Sequence, residues 1–164
     1  MDRLIRFQTP SAAEISIETP SSSATGDLQK PLYSLTGKTV LIVDDDTRNI
    51  FAISSLLEAE GMKVLSAENG RSGIDMIEQH PEIDIVLMDI MMPDMDGYET
   101  MKLIRNDPKK RYLPVIAVTA KALKADRERC MTAGASDYLS KPVDESQLVD
   151  LIGIWASGSR PQAL

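Results

Sequence analysis

Apolar residues in this chain fall into short blocks, and between the blocks they recur at helical spacing. Residues 40–43 (Val-Leu-Ile-Val), 63–67, 83–88, 115–118 and 137–139 read as five strands. Runs this short, closed by turn residues, suit strands buried on both faces of a sheet. After the first block, Ile50, Ile53 and Leu57 share one face of a helix that Thr47 is placed to cap, running to about residue 60 with Gly61 as its stop. Asn69-Gly70 turns into a second helix with Ile74 and Ile77 inward, ending before Pro81. A third covers 98–106 with Met101, Ile104 and Leu103 on the inner side, and Pro108 lies beyond its end. A fourth covers 123–132 and stops near Gly134. Asp144 caps the last, where Leu148, Leu151, Ile152 and Trp155 fall at i, i+3, i+4 and i+7.

Strand and helix thus alternate five times. That order predicts an α/β domain with a five-stranded parallel sheet, five helices covering both faces, and right-handed crossovers. No repeat consensus recurs, so the period belongs to the βα unit and not to a solenoid. Residues 1–36 break the pattern. Thr19-Pro-Ser-Ser-Ser-Ala-Thr25 has no apolar period and reads as a flexible linker, although Ile15 and Ile17 alternate with polar neighbours as a short strand would. The expected organisation is a tail over 1–36, one domain over 37–156, and a Ser/Gly/Pro tail over 157–164 that leaves no room for an output domain.

Composition narrows the picture. With 43% hydrophobic residues the 164-residue chain can build a core, and its formal net charge of -7 argues against binding nucleic acid through overall charge. Cys130 is the only cysteine, so no intrachain disulfide can form, and a lone cysteine in a helix is more often packing than nucleophile. The segment Met1-Asp-Arg-Leu-Ile-Arg6 lacks the apolar core of a signal peptide, and no run approaches the roughly 20 residues that span a bilayer. The expected location is the cytoplasm, with no membrane contact by this segment.

In a parallel sheet all carboxyl ends meet at one edge, the edge where open α/β sheets place their ligands. Strand one ends in Asp44-Asp45-Asp46, strand three in Asp89, strand four in Thr119-Ala120, and Lys141-Pro142 follows strand five. Crowded carboxylates repel and must take up protons or hold a cation; an all-oxygen site with few protein ligands suits Mg²⁺. Asp46 is assigned to the turn that caps the first helix. Taken singly, Asp89 could merely begin a turn, Thr119 end a strand, and Lys141 sit on the surface. Together, a carboxylate nucleophile, a divalent ion, a lysine and a hydroxyl are the parts of phosphoryl transfer, which is chiefly positioning and charge neutralisation.

The motifs Val43-Asp44-Asp45, Met88-Asp89-Ile90-Met91-Met92-Pro93, Asp96-Gly97, Val118-Thr119-Ala120 and Tyr138-Leu139-Ser140-Lys141-Pro142 stand in this order on the matching elements. Over residues 37–155 the sequence resembles the CheY-like receiver domains of two-component response regulators. The resemblance implies a flavodoxin-like, doubly wound fold with strand order 2-1-3-4-5. It implies that Asp89 takes a phosphoryl group from a phosphohistidine on a sensor histidine kinase or histidine phosphotransfer protein. Asp45, Asp89 and the backbone carbonyl of Met91 would bind Mg²⁺ directly, and Asp44 through a water. Lys141 would pair with Asp89 and then with the phosphoryl group. Thr119 would turn its hydroxyl to that group, and Tyr138 would move inward behind it, changing the surface formed by the fourth helix, fifth strand and fifth helix. The Lys141–Pro142 bond is expected to be cis. Such a domain is no turnover enzyme by itself; it catalyses its own phosphorylation and dephosphorylation.

Other readings compete. Haloacid-dehalogenase-like phosphatases also combine Asp, Mg²⁺, Thr or Ser, and Lys, and Asp44-Asp45-Asp46-Thr47 resembles their opening motif; Arg48 then departs from it, and Asp89 would be left without a role. A receiver-fold binding module that is never phosphorylated would not need the complete acidic set. The Ser/Pro-rich approach to Leu35-Thr36-Gly37-Lys38, with Asp46-Thr47-Arg48-Asn49-Ile50-Phe51, resembles a receiver fused behind a histidine kinase; a stand-alone receiver and a hybrid-kinase fragment both stay open, with the fragment favoured. His80 reads as a surface residue ending a helix. Lys121, Lys124, Arg127 and Arg129 make the fourth helix basic and Asp144, Glu145 and Asp150 the fifth acidic, faces suited to a phosphorylation-dependent homodimer or simply to solvent. Met91 and Lys121, two residues beyond Asp89 and Thr119, offer no obvious group to position a hydrolytic water, so slow self-dephosphorylation is expected.

Overall fold

The computed structural model describes residues 34–121 and 123–157. The 1–36 tail, with its Ile15/Ile17 strand, and the 157–164 tail lie almost wholly outside these residues.

Strands β1 (Thr39–Val43), β3 (Ile85–Asp89) and β4 (Val115–Thr119) are buried at every position, as their unbroken apolar runs require. β2 (Lys63–Ala67) and β5 (Asp137–Ser140) are more exposed because they form the two edges. All five strands pair in parallel in the order β2-β1-β3-β4-β5. Helices α1 (Thr47–Ala59), α2 (Gly70–Gln79), α3 (Gly97–Asn106), α4 (Lys124–Ala133) and α5 (Glu145–Ala156) follow the strands in turn.

The period-two alternation of the central strands builds two cores. Leu41, Val43, Val86, Met88, Val115 and Ala117 pack one way, against Ile77 of α2, Met101 and Ile104 of α3, and Cys130 of α4. Val40, Ile42, Ile85, Leu87, Ile116 and Leu139 pack the other way, against Leu57 of α1 and Leu148 and Ile152 of α5, with Leu35 joining them. Burying a side chain of this size contributes about 1.5–3 kcal/mol, so the two cores together hold the sheet rigidly beneath its edges.

The structure revises several details. Asp46, not Thr47, caps α1: its carboxylate accepts from the Arg48 N–H, and Thr47 is the first helical residue. β3 begins at Ile85 instead of Ile83: the turn lies at 81–82, and Asp84 is held by Thr39, its N–H donating to the Thr39 carbonyl and its carboxylate accepting from the Thr39 N–H. Asp89 and Thr119 are the last residues of their strands, at the carboxyl ends where the sequence puts them, one residue past each apolar block. Leu103 faces outward, 43% exposed, since it lies off the arc shared by Met101 and Ile104. α4 starts at Lys124 with Leu123 as its N-cap. A 3₁₀ turn over Pro108–Lys110 was not anticipated. Gly134, at φ +117, ends α4 in a left-handed conformation that suits glycine.

Candidate functional site

Register places the polar residues. Val43 aligns with Met88, Asp89 with Val118, and Thr119 with Ser140. Continuing each strand by one residue brings Asp44, Asp89, Thr119 and Lys141 to the same carboxyl edge, although Asp89 and Lys141 are 52 residues apart in sequence. The Lys141 ammonium lies 3.0 Å from Asp89 Oδ1 and 3.7 Å from Asp44 Oδ2. Asp44, Asp45 and Asp89 each offer a carboxylate oxygen within 4.8 Å of the others. Asp44 and Asp89 are buried, both 3% exposed, whereas Asp45 is exposed and opens the cluster to solvent.

The local chain is shaped to hold this cluster. Asp44 Oδ1 accepts from the Asp46 N–H at 2.8 Å, and the Asn49 amide on the first turn of α1 approaches Oδ2 at 3.4 Å. Gly97 opens α3 directly against the end of β3. A Cβ there would collide with the Asp89 carbonyl and lie 2.8 Å from the Ile90 Cα, so only glycine permits this approach. Asp94 in the same connection has φ 68, a left-handed conformation that aspartate tolerates better than most residues. The Lys141–Pro142 peptide bond is cis. The backbone N–H of Lys141 donates to the Thr119 carbonyl at 2.8 Å, which ties the lysine to the neighbouring strand.

Burial pushes the Asp89 carboxyl up to about 6; the hydrogen bond from Lys141 opposes this, the nearby Asp44 charge adds to it, and the Lys141 charge and the Met91 N–H pull the other way. Burial alone would lower Lys141, but the hydrogen bond and charge of Asp89, with the charges of Asp44 and Asp45, leave it raised and firmly cationic. Three carboxylates against one ammonium leave an excess of negative charge. The donor set is all oxygen and partly open, which fits a hard divalent cation that keeps several waters.

Thr119 is buried, and its hydroxyl accepts from the Lys121 N–H at 3.1 Å. Tyr138 is half-buried against the core on the α4 side, with the Arg127 guanidinium 5.3 Å from its ring centroid. Met91 is 55% exposed beside the cluster. His80 is the C-cap of α2, paired with Glu82 at 3.0 Å. It helps line a cavity of about 750 Å³ beside Lys38, Asp84 and Pro114, at the opposite edge of the sheet. The acid cluster therefore does not coincide with that concavity. The contact of Asn49 with Asp44, that of Arg127 with Tyr138 and the close approach at Gly97 are not legible in the sequence; only Asp96-Gly97 within a motif points to the last.

The sequence profile of the response regulator receiver domain matches residues 40–153. The signal transduction histidine-protein kinase BarA of Shigella flexneri is 42% identical over 121 residues, covering 74% of this chain and 13% of BarA. The polar-differentiation response regulator DivK of Brucella anthropi is 37% identical over 115 residues, covering 70% of this chain and 93% of DivK. Among solved structures, the receiver domain of sensor histidine kinase PA1611 from Pseudomonas aeruginosa, with a magnesium ion coordinated in its active-site cleft, is 34% identical with a TM-score of 0.64, covering 74% of this chain and 98% of that one. No helix among the described residues is long and apolar enough to cross a membrane. With the strand order, the acid cluster and the sequence match in agreement, this chain belongs to the response regulator receiver domains of two-component signalling.

Proposed function

We propose that Asp89 is the phosphoacceptor. A carboxylate oxygen of Asp89 forms the O–P bond as the P–N bond to a donor imidazole breaks, and the electron pair returns to the imidazole nitrogen. The observation that carries this reading is the convergence of Lys141 and two further carboxylates on one buried strand-end aspartate. Asp45, Asp89 and the Met91 backbone carbonyl would hold Mg²⁺, with Asp44 acting through a water. Bound there, the ion supplies positive charge against the transferred group's oxygens. Lys141 already bonds one Asp89 oxygen, leaving the other to attack, and its ammonium then passes to the phosphoryl group.

Phosphorylation puts a larger negative charge where a carboxylate stood. Thr119 would donate its hydroxyl to the new oxygens, and Tyr138 would move inward behind it, leaving Arg127 and changing the α4-β5-α5 surface. One hydroxyl contact and one aromatic repacking supply roughly 1–3 kcal/mol, enough to bias a population without locking it. The donor would be a sensor histidine kinase or a histidine phosphotransfer protein, in the cytoplasm. The chain spans only 13% of BarA, and the match to kinase receivers favours a place within a hybrid kinase. Self-dephosphorylation would be slow, since neither Met91 nor Lys121 positions a water; a phosphoaspartate lifetime of seconds in Mg²⁺ buffer would contradict this. A phosphorylation-dependent homodimer through α4 and α5 would rely on Lys121 and Lys124, because Arg127 and Arg129 already lie over the rings of Tyr138 and Tyr98.

The test is incubation with phosphoramidate and Mg²⁺, followed by intact mass. One added phosphoryl group is expected, and none on the Asp89→Asn variant. Repeated turnover of a small phosphoester, with no stoichiometric label on Asp89, would point to a haloacid-dehalogenase-like phosphatase instead.

A further inference from the structure

The first turn of α1 sorts its polar side chains by charge. Beside the acid cluster it carries one cation, Arg48, and one neutral amide, Asn49. Arg48 is turned away and tied off. Its guanidinium donates to both carboxylate oxygens of Asp46, from Nε at 3.1 Å and from Nη2 at 3.0 Å, and its side chain is 90% exposed. Asn49 turns the other way: it is half-buried, and its Nδ2 lies 3.4 Å from Asp44 Oδ2. Asp46 links the two arrangements, because its own N–H donates to Asp44 Oδ1 at 2.8 Å.

Asp44 needs such a donor more than Asp45 or Asp89 does. Asp45 is exposed to water, and Asp89 has the Lys141 ammonium at 3.0 Å. Asp44 is 3% exposed, and an oxygen left without a donor on a buried carboxylate is costly. Lys141 stands 3.7 Å from Asp44 Oδ2, beyond hydrogen-bond range. Among the described residues, Asn49 is therefore the only side chain that donates to that oxygen. The kind of donor matters as much as its reach. A lysine or arginine in this place would satisfy the oxygen and also cancel negative charge that draws a divalent cation. An amide satisfies the oxygen and leaves the charge intact.

We propose that Asn49 is a positioning residue for Asp44 and sets how tightly the acid cluster takes a divalent cation. It holds the Asp44 carboxylate between the Asp46 N–H and its own amide, while the negative excess of the cluster is preserved. The proposal deepens the reading of Asp89 as an Mg²⁺-dependent phosphoacceptor and rests on it. Because Asn49 meets Asp44 and not the attacking carboxylate, it acts on affinity and not on the chemical step.

The test measures Mg²⁺ binding to the full chain by isothermal titration calorimetry, with no phosphodonor present. Asn49→Ala should raise the dissociation constant about tenfold, the lower end of what a group that supports a metal ligand contributes. Asn49→Leu, close in size but without the amide, should do the same. Alanine and leucine both favour helix, so both variants should keep the fold. Once Asp44→Asn is present, adding Asn49→Ala should change the constant by less than about twofold, because the amide then has no carboxylate to hold. With phosphoramidate, the Mg²⁺ concentration for half-maximal labelling should rise about tenfold in Asn49→Ala, and the maximal rate should stay within about twofold. Natural affinity in either single variant overturns the proposal. So does a loss that repeats on top of Asp44→Asn, or a maximal rate that falls at saturating Mg²⁺. Each of these leaves Asp89 standing as the phosphoacceptor, as does a natural chain that takes the label without binding Mg²⁺, which also overturns the proposal. A natural chain that neither binds Mg²⁺ nor takes the label brings down both readings.

Discussion

At the amino-terminal edge of the sheet the half-buried charges are matched, and at the carboxyl-terminal edge they are not. Asp84 accepts from the Thr39 N–H at 2.8 Å. Lys110 sits between Glu78 at 3.4 Å and Asp107 at 3.2 Å. Arg105, in the last turn of α3, donates to the carbonyls of Gly134, Lys110, Arg111 and Leu113 and to the Ser136 hydroxyl. It thereby ties the end of α4 to the connection before β4. At the other edge one lysine faces three carboxylates. The same strands run through both edges and the same cores support them. The difference teaches where this molecule is built for stability and where it holds repulsion that a cation or a proton relieves.

Removing the single cation is the most severe way to upset the unmatched edge. Lys141→Met should slow labelling by phosphoramidate about 100- to 1,000-fold, the usual cost of losing one charge-stabilising donor in phosphoryl or acyl transfer. The fold should persist, because the lysine head lies at the open end of the sheet. Labelling within a few-fold of the natural chain would show that Lys141 is a bystander. At the matched edge the sign reverses. Arg105→Ala should leave the chemistry of the labelled protein intact and cost about 3 kcal/mol in urea unfolding, because several carbonyls lose a charged donor at once. A loss under about 1 kcal/mol would mean that water replaces the guanidinium freely.

Titration sharpens the contrast. The Asp89 carboxyl is raised from 3.8 to about 6 in the folded protein. The native state therefore holds the proton more tightly than the unfolded chain. This contribution to stability is complete below pH 3.8 and is lost as pH rises through about 6. A shift of that size corresponds to about 3 kcal/mol. With divalent ions chelated, Asp89→Asn should gain stability over the natural chain between pH 4 and 6.5, and parallel unfolding curves over that range would refute the raised carboxyl. Mg²⁺ should restore what ionisation removes. At about 100 times its dissociation constant it adds about 2.7 kcal/mol by mass action. Asp45→Asn should abolish most of the melting shift, while Arg105→Ala keeps it.

The legible parts of this molecule are those that a single local requirement decides. β1, β3 and β4 are covered on both faces, and that alone forces unbroken apolar runs. Because all strands run one way, Asp44, Asp89, Thr119 and Lys141 could be brought to one edge from order alone. The start of β3 is illegible because Ile83 is buried without belonging to the strand. The cap of α1 was ambiguous because Asp46 and Thr47 are both good caps, and only the N–H that is actually bonded distinguishes them. Arg105 was invisible: an arginine in a last helical turn usually faces water, and its partners lie up to 31 residues away. Asn49 and Gly97 act through approaches between elements that no periodicity encodes.

The smallest predicted effect tests whether function has shaped the unmatched edge beyond the charges. In the absence of any partner, Leu123→Ser should stabilise the domain by about 0.5–1 kcal/mol, because serine can accept from the first free N–H groups of α4 where leucine cannot. Substitutions that gain stability by repairing a local fault are common where the fault serves binding. Measured by urea midpoint at unchanged slope, a gain would mean that α4 begins with a residue chosen against its own helix. A loss of stability would instead show that Leu123 packs within the chain despite its exposure. The contrast between the edges would then reduce to the four charged groups alone.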